Sequence, residues 1–186
     1  MRKLLAIFTL LAILLSGCVY VDMSVENKPT PGVDFSKLKT FGFKKRSESR
    51  KEVEDMLLNS AKLELEAKGF TYSATNPDFL IVVGFGSKSY MERGVSYSRD
   101  SVEYDFISKS YSDIGVNPAP DASRQDNTVS IFLVTPDKTY LWKGLATSSD
   151  FEGIGVVGKC LVKGALTRFP GVDGTYREKF NVSDCP

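Results

Sequence analysis

"TVSIFLVTPDKTYLWKGLA", residues 128 to 146, is the stretch on which the fold turns. Two runs rich in β-branched and aromatic residues flank Pro136-Asp137, a residue pair that suits a type I turn. The economical reading is a β-hairpin, so this part of the chain is antiparallel sheet.

Working outward, "PDFLIVVGFG" (77 to 86) is nearly continuous hydrophobe bounded by Pro and Gly, the pattern of a central strand covered on both faces. "VYVDMSVE" (19 to 26) sets Val19, Val21, Met23 and Val25 against Tyr20, Asp22, Ser24 and Glu26, the period of two of a half-buried strand. "NKPTPG" (27 to 32) is a turn-rich break, and "LKTFGFK" (38 to 44) resumes as a strand with Phe41 and Phe43 on one face.

Two segments carry helical spacing. Ser49-Arg50-Lys51-Glu52 reads as a capping box opening a helix that runs to Lys68 and stops at Gly69, with Val53, Met56, Leu57, Ala61, Leu63 and Ala67 as its apolar face. Gly153 to Phe169 places Val157, Leu161, Ala165 and Phe169 four residues apart, with Pro170 as its stop. Helices separated by a run of strands predict an α+β class: a twisted, mostly antiparallel sheet of about five or six strands with two helices packed on one face.

The segment from 87 to 127 fits no single element. Tyr90, Tyr97, Tyr104 and Tyr111 recur every seven residues; seven is odd, so in a strand those rings would alternate faces. The Ser and β-branched content opposes a helical stripe. The segment reads as a variable insert of irregular strand and Pro-containing loop. Its four tyrosines are the candidate partner contact, because clustered amphipathic rings suit protein or glycan surfaces.

The N-terminus speaks to location. "MRKLLAIFTLLAILLSGC" has a basic start at Arg2 and Lys3, an uncharged apolar run from Leu4 to Leu15, and small residues before Cys18. This is the pattern of a signal peptide over residues 1 to 17, too short for a bilayer core that needs roughly 20 helical residues. Leu15-Ser16-Gly17-Cys18 resembles the lipobox of bacterial lipoproteins, which implies cleavage before Cys18 and acylation of that cysteine. Each buried acyl methylene adds about 0.8 kcal/mol, so several palmitate-like chains anchor stably. Val19 is not the Asp that commonly retains such proteins in the inner membrane, so the expected location is the outer membrane, facing the periplasm.

Residues 18 to 186 suffice for one domain. The net charge is +1, and loss of Arg2 and Lys3 turns it into −1, which leaves no basic field for nucleic acid. Of three cysteines, Cys18 takes lipid, and Cys160 and Cys185 remain for a disulfide in an oxidising compartment. Two separate thiols are the alternative. There is no histidine, which removes Ser-His-Asp and Cys-His nucleophile systems and His-based zinc sites; neither cofactor nor metal is expected.

Two motifs are attractive but poorly placed. Gly153, Gly155 and Gly158 match G-x-G-x-x-G, yet only 28 residues follow Gly158, too few for the parallel strands a dinucleotide fold requires. The glycines are better read as letting the last helix approach the sheet. Ser36 and Lys39 match S-x-x-K, but no K-T-G strand accompanies them: Lys39-Thr40 is followed by Phe41. Among carboxylates, Asp78, Asp100, Glu103, Asp105 and Asp113 show no spacing that singles out an acid/base pair.

Four stretches together resemble a family: "DFSKLKTFGF" (34 to 43), "LELEAKGFTYSATNPDFLIVVGFG" (63 to 86), "VSIFLVTPDKTYLWKGLATSS" (129 to 149) and "ALTRFP" (165 to 170). They look like the bacterial lipoproteins grouped as domain of unknown function 4136, with Leu38 and Phe70 where Tyr is usual and Lys143 where Arg is usual. The resemblance implies a fold and an envelope location but no catalytic residues. The expected function is a non-enzymatic interaction or assembly role with an envelope protein or cell-wall partner, through the insert or a sheet edge. The alternatives are a periplasmic hydrolase of cell-wall material and a carrier of small apolar ligands.

Overall fold

The computed structural model describes residues 19–45, 50–91, 122–149, 154–171 and 173–186. In chain order the elements are β1 (Tyr20–Pro29), β2 (Thr40–Phe43), α1 (Lys51–Ala67), β3 (Thr71–Tyr72), β4 (Phe79–Met91), β5 (Ala122–Val134), β6 (Tyr140–Ser149), α2 (Ile154–Thr167) and β7 (Gly174–Asn181). All seven strands form one sheet, in the order β3-β2-β4-β5-β6-β1-β7. From β4 to β7 neighbours are antiparallel, while β2 pairs in parallel with both β3 and β4.

The class is therefore α+β, with a mixed sheet larger than the five or six strands expected. The two unexpected strands are β3, only two residues long, and β7, in which charged residues stand on both sides of the period-two pattern. β1 also runs on to Pro29, three residues into the expected turn, and Asn27 sits buried within it.

The hairpin is as the sequence predicts. Lys138 N–H donates to the Thr135 carbonyl at 2.9 Å, closing the turn around Pro136-Asp137, and Lys138 adopts φ 73°. A left-handed residue after a type I turn lets the strands twist back into register. The Asp137 carboxylate accepts from the hydroxyls of Thr135 and Thr139, and chiefly the first of these holds its pKa below the ordinary range.

Alternation along the strands divides the apolar residues into two sets. Ile81, Val83, Val129 and Ile131 join Val21 and Val25 in a large cluster shared with both helices. Leu80, Val82, Phe132 and Val134, the intervening positions of β4 and β5, form a second cluster. β4 is thus buried on both sides, as its unbroken hydrophobicity requires.

On α1 the buried stripe is Glu54, Leu57, Leu58, Ala61 and Leu65. Leu63, expected in that stripe, is 52% exposed. A 3.6-residue period seated on Leu57, Leu58 and Ala61 carries position 65 inward and position 63 outward. The helix ends as predicted: Gly69 has φ 89°, and Phe70 N–H reaches the Leu65 carbonyl at 3.0 Å. Its start differs, because Arg50 is the N-cap and makes no side-chain cap bond; Ser49 lies outside the described residues.

The glycines of α2 also need correction. A Cβ on Gly158 would meet Leu57 Cδ2 at 2.9 Å and Met56 Cε at 3.1 Å, so this glycine admits α1 rather than the sheet. Close approach to the sheet rests on Gly164, where a Cβ would overlap the Met23 sulfur on β1.

Register fixes what lies at each end of the sheet. Gly86, Thr128, Thr147, Ser24 and Arg177 share one row. Four residues further one way lie Tyr90 paired with Arg124 and Tyr20 paired with Asn181. The chain therefore enters β1 at the same end from which β4 and β5 open into residues 92–121. The opposite end carries the Thr135–Thr139 turn, the link from Thr30 to β2, and the exit of α2.

A C-terminal tail crosses from β7 back over the helices. Cys185 is disulfide-bonded to Cys160 on α2. Lys163 Nζ donates to the Asp184 carbonyl at 2.6 Å, and Ser60 on α1 donates to the Pro186 carbonyl at 3.1 Å.

Candidate functional site

At the end of the sheet away from Tyr20, Phe169 sits just past α2 as the hub of an aromatic cluster. Its ring centroid lies 5.4 Å from Phe35, 5.6 Å from Phe70 and 5.0 Å from Trp142. Phe70 continues to Phe79 at 5.6 Å, and Phe79 to Phe41 at 6.2 Å. These rings come from all four stretches that carry the family resemblance, so motifs far apart in sequence converge on one structural feature. Such pairs add about 0.5–1.5 kcal/mol each beyond the area they bury.

The outer side of Phe169 is concave. The depression is shallow and open, and is lined by Pro29, Val33, Phe35, Arg168, Phe169 and Pro170, among others. Arg168 is held at its rim: the guanidinium stacks 3.8 Å above the Tyr176 ring and bonds Glu178 at 2.9 Å.

Among the described residues three buried polar atoms have no partner: Asn27 Nδ2, Asn27 Oδ1 and Trp142 Nε1, the last on the ring that packs against Phe169. Asn27 is fully buried and Trp142 is 1% exposed. Leaving such groups unpaired costs about 1–3 kcal/mol each. Asn27 stands opposite Gly144 on one side and Gly174 on the other. A Cβ on Gly144 would overlap the Trp142 ring and lie 2.6 Å from the Ala165 carbonyl, so the glycine is what lets the indole lie flat beneath α2. Trp142 and Gly144 lie in the 129–149 stretch that carries the family resemblance, whereas Asn27 lies in the expected turn of residues 27 to 32.

The polar residues singled out in the sequence have structural work. Asp78 accepts from the Lys39 and Thr40 amides at 2.8 Å each and from the Thr40 hydroxyl at 3.0 Å. Those donors, led by the Lys39 amide, hold its carboxyl below the ordinary range. Asp78 is a clasp that locks β2 beside β4. Ser36 lies in a 3-10 turn and donates to Asp34 at 2.6 Å, not to Lys39. The Ser36 hydroxyl is the main cause of the lowered Asp34 pKa.

Gly155 and Gly158 lie inside α2 rather than in a turn before it. Cys18, Tyr97, Tyr104, Tyr111, Gly153, Asp100, Glu103, Asp105 and Asp113 lie outside the described residues, and Tyr90 is placed by its β4 backbone alone. Among the described residues no group of three or more His, Cys, Asp or Glu could hold a metal ion, and no helix is long and apolar enough to cross a membrane.

A family model described as domain of unknown function (DUF4136) matches residues 25–171. β7 and Cys185 fall beyond that span. No curated protein matches the chain. Among solved structures, a PDZ domain protein from Parabacteroides distasonis aligns over 89% of this chain with a TM-score of 0.61 at 18% identity, and this chain spans 40% of its length. Two crystal forms of a PelC dodecamer from Paraburkholderia phytofirmans align at TM-scores of 0.45 and 0.42, with 13% and 12% identity over 78% of this chain and 95% and 96% of theirs. At 18% identity the likeness to the first of these is one of fold alone.

Proposed function

We propose, from the premise that the chain belongs to the DUF4136 family, that it is a lipid-anchored lipoprotein of the outer membrane, facing the periplasm and acting by contact rather than catalysis. Cys18 carries the acyl chains, and the partner is an envelope protein or cell-wall component met by the 87–127 insert. The observation that carries this reading is the shared end of the sheet: β1 begins two residues after Cys18, and the arm of β4 and β5 opens at that same end. An acylated Cys18 therefore holds the insert close to the membrane, where a membrane-associated partner is within reach.

Supporting surfaces flank the anchor. Val19 and Tyr20 are 55% and 49% exposed, and Lys179 Nζ lies 5.0 Å from the Tyr20 ring. We take both helices to cover one face of the sheet, since their buried side chains share the large cluster, while Leu80, Val82, Phe132 and Val134 belong to the other face. A hydrolase built on Ser36 and Lys39 gains no support, because Asp34 takes the Ser36 hydroxyl.

Metabolic labelling with palmitate and membrane fractionation test the anchor. The expected result is label on the wild-type chain in the outer-membrane fraction and neither in Cys18→Ala. An unlabelled wild-type chain recovered in the soluble periplasm would overturn the reading.

A further inference from the structure

We propose that the Phe169 pocket and the unpartnered polar atoms behind it form one binding site for the acetamido group of an N-acetylated sugar, reached when the Phe169 ring swings aside. The site is independent of the Cys18 anchor and of the insert, and stands or falls separately from them.

Geometry places the two parts next to each other. Asn27 and Pro29 are two residues apart on β1 and so share a face, and Pro29 lines the pocket. Trp142 pairs with Pro29 across the sheet and packs edge-on against Phe169, the inner wall of the pocket. Phe169 therefore stands between the depression and Trp142, whose indole N–H is one of the unpartnered atoms, and Asn27 lies on the neighbouring strand opposite Gly144, two residues from Trp142. Glycine on both strands beside Asn27 leaves no neighbouring Cβ there.

Chemistry selects the ligand. A carboxamide offers one donor and one acceptor to the same partner, and a secondary amide is its complement: the ligand carbonyl accepts from Asn27 Nδ2, and the ligand N–H donates to Asn27 Oδ1. The indole N–H adds a second donor for a carbonyl or ring oxygen. The acetyl methyl suits the apolar wall of Val33, Phe35 and Phe169, and aromatic faces suit the C–H face of a pyranose. The ligand should be uncharged, because Arg168, the rim cation, is already paired with Glu178. Thr30 and Thr167 at the rim donate to the Tyr140 and Lys163 carbonyls, which leaves their oxygens to accept from sugar hydroxyls.

Trp142 is the single tryptophan, so its emission reports this site alone. The full chain in detergent is titrated with the N-acetylglucosamine disaccharide and with cellobiose, the same ring system without the acetamido group. The proposal expects a saturable change in emission with the first and none with the second, and binding weakened at least about ten-fold by Asn27→Leu, which keeps the volume and removes both polar atoms. Equal responses to the two sugars, an unchanged affinity in Asn27→Leu, or no response at all would overturn it. If Asn27→Leu does not fold, side-chain amide and indole N–H resonances of the wild type decide. Both shifting on addition of the acetylated disaccharide supports the site. Both staying fixed, with a persistent cross-peak from the indole N–H to water, means a buried water only and overturns it.

Discussion

The two ends of the sheet are held together in different ways. Away from Tyr20, rings from β2, β4, β6 and the segments around them form a chain that ends on Phe169, and Asp78 clips β2 into place with three hydrogen bonds. At the Tyr20 end the exposed Val19 and Tyr20 stand among charged side chains: Arg177 lies 4.0 Å from Asp22, Lys179 covers Tyr20, and the tail is secured by Cys160–Cys185. Close packing of aromatics makes each ring costly to remove. A solvated strand end pinned covalently tolerates change in its side chains. The difference suits a domain with one end built for internal order and the other left for contact.

Phe169→Ala should break this contrast most severely. Removing the hub is expected to cost about 3–5 kcal/mol, read by denaturant unfolding; a loss under about 1 kcal/mol would mean that the cluster does not organise its end. Next comes the disulfide. Cys160 and Cys185 are 25 residues apart, and replacing both by Ser should cost about 3.5 kcal/mol by chain entropy. The tail should gain hydrogen exchange while the Phe169 cluster keeps its protection.

Asp78→Ala sharpens the comparison through pH. Net loss at pH 7 should be about 1 kcal/mol. The Asp78 pKa is lowered from an ordinary 3.8 in the folded state, so its stabilisation is present above that value and lost as pH falls through the folded pKa. Wild type and variant should therefore converge in thermal midpoint below about pH 4, and a constant gap down to pH 2 would contradict the clasp. Lys138→Gly relieves a left-handed lysine and should raise stability by up to about 1 kcal/mol, a rise of a few degrees in the midpoint. Arg177→Ala, at an exposed pair near the other end, should change stability by less than about 0.5 kcal/mol.

Legibility followed the strength of the local signal. The 128–146 hairpin is plain because a turn pair separates two β-rich runs, and the strand from Phe79 because burial on both sides leaves no polar residue from 79 to 86. β7 was hidden: in Thr175-Tyr-Arg-Glu-Lys-Phe180 the two faces differ little in polarity, since Glu178 faces Arg168 while Arg177 and Lys179 face solvent. α1 was found with a misplaced stripe, as Leu63 is apolar yet exposed. The candidate site was visible only in pieces. Trp142, Gly144 and Phe169 fall inside the stretches that carry the family resemblance, but nothing local marks Asn27 as buried, because its burial depends on strands more than a hundred residues away.

We propose that protein contact belongs to the Tyr20 end, where the proposed anchor lies. A photoreactive residue at Tyr104 in the insert and another at Lys138, on the exposed turn at the opposite end, measure this directly in cells. One specific envelope protein captured from position 104, absent from position 138 and lost when residues 92–121 are deleted, is the predicted result. Capture of that protein from position 138, or equally from both, would contradict the account.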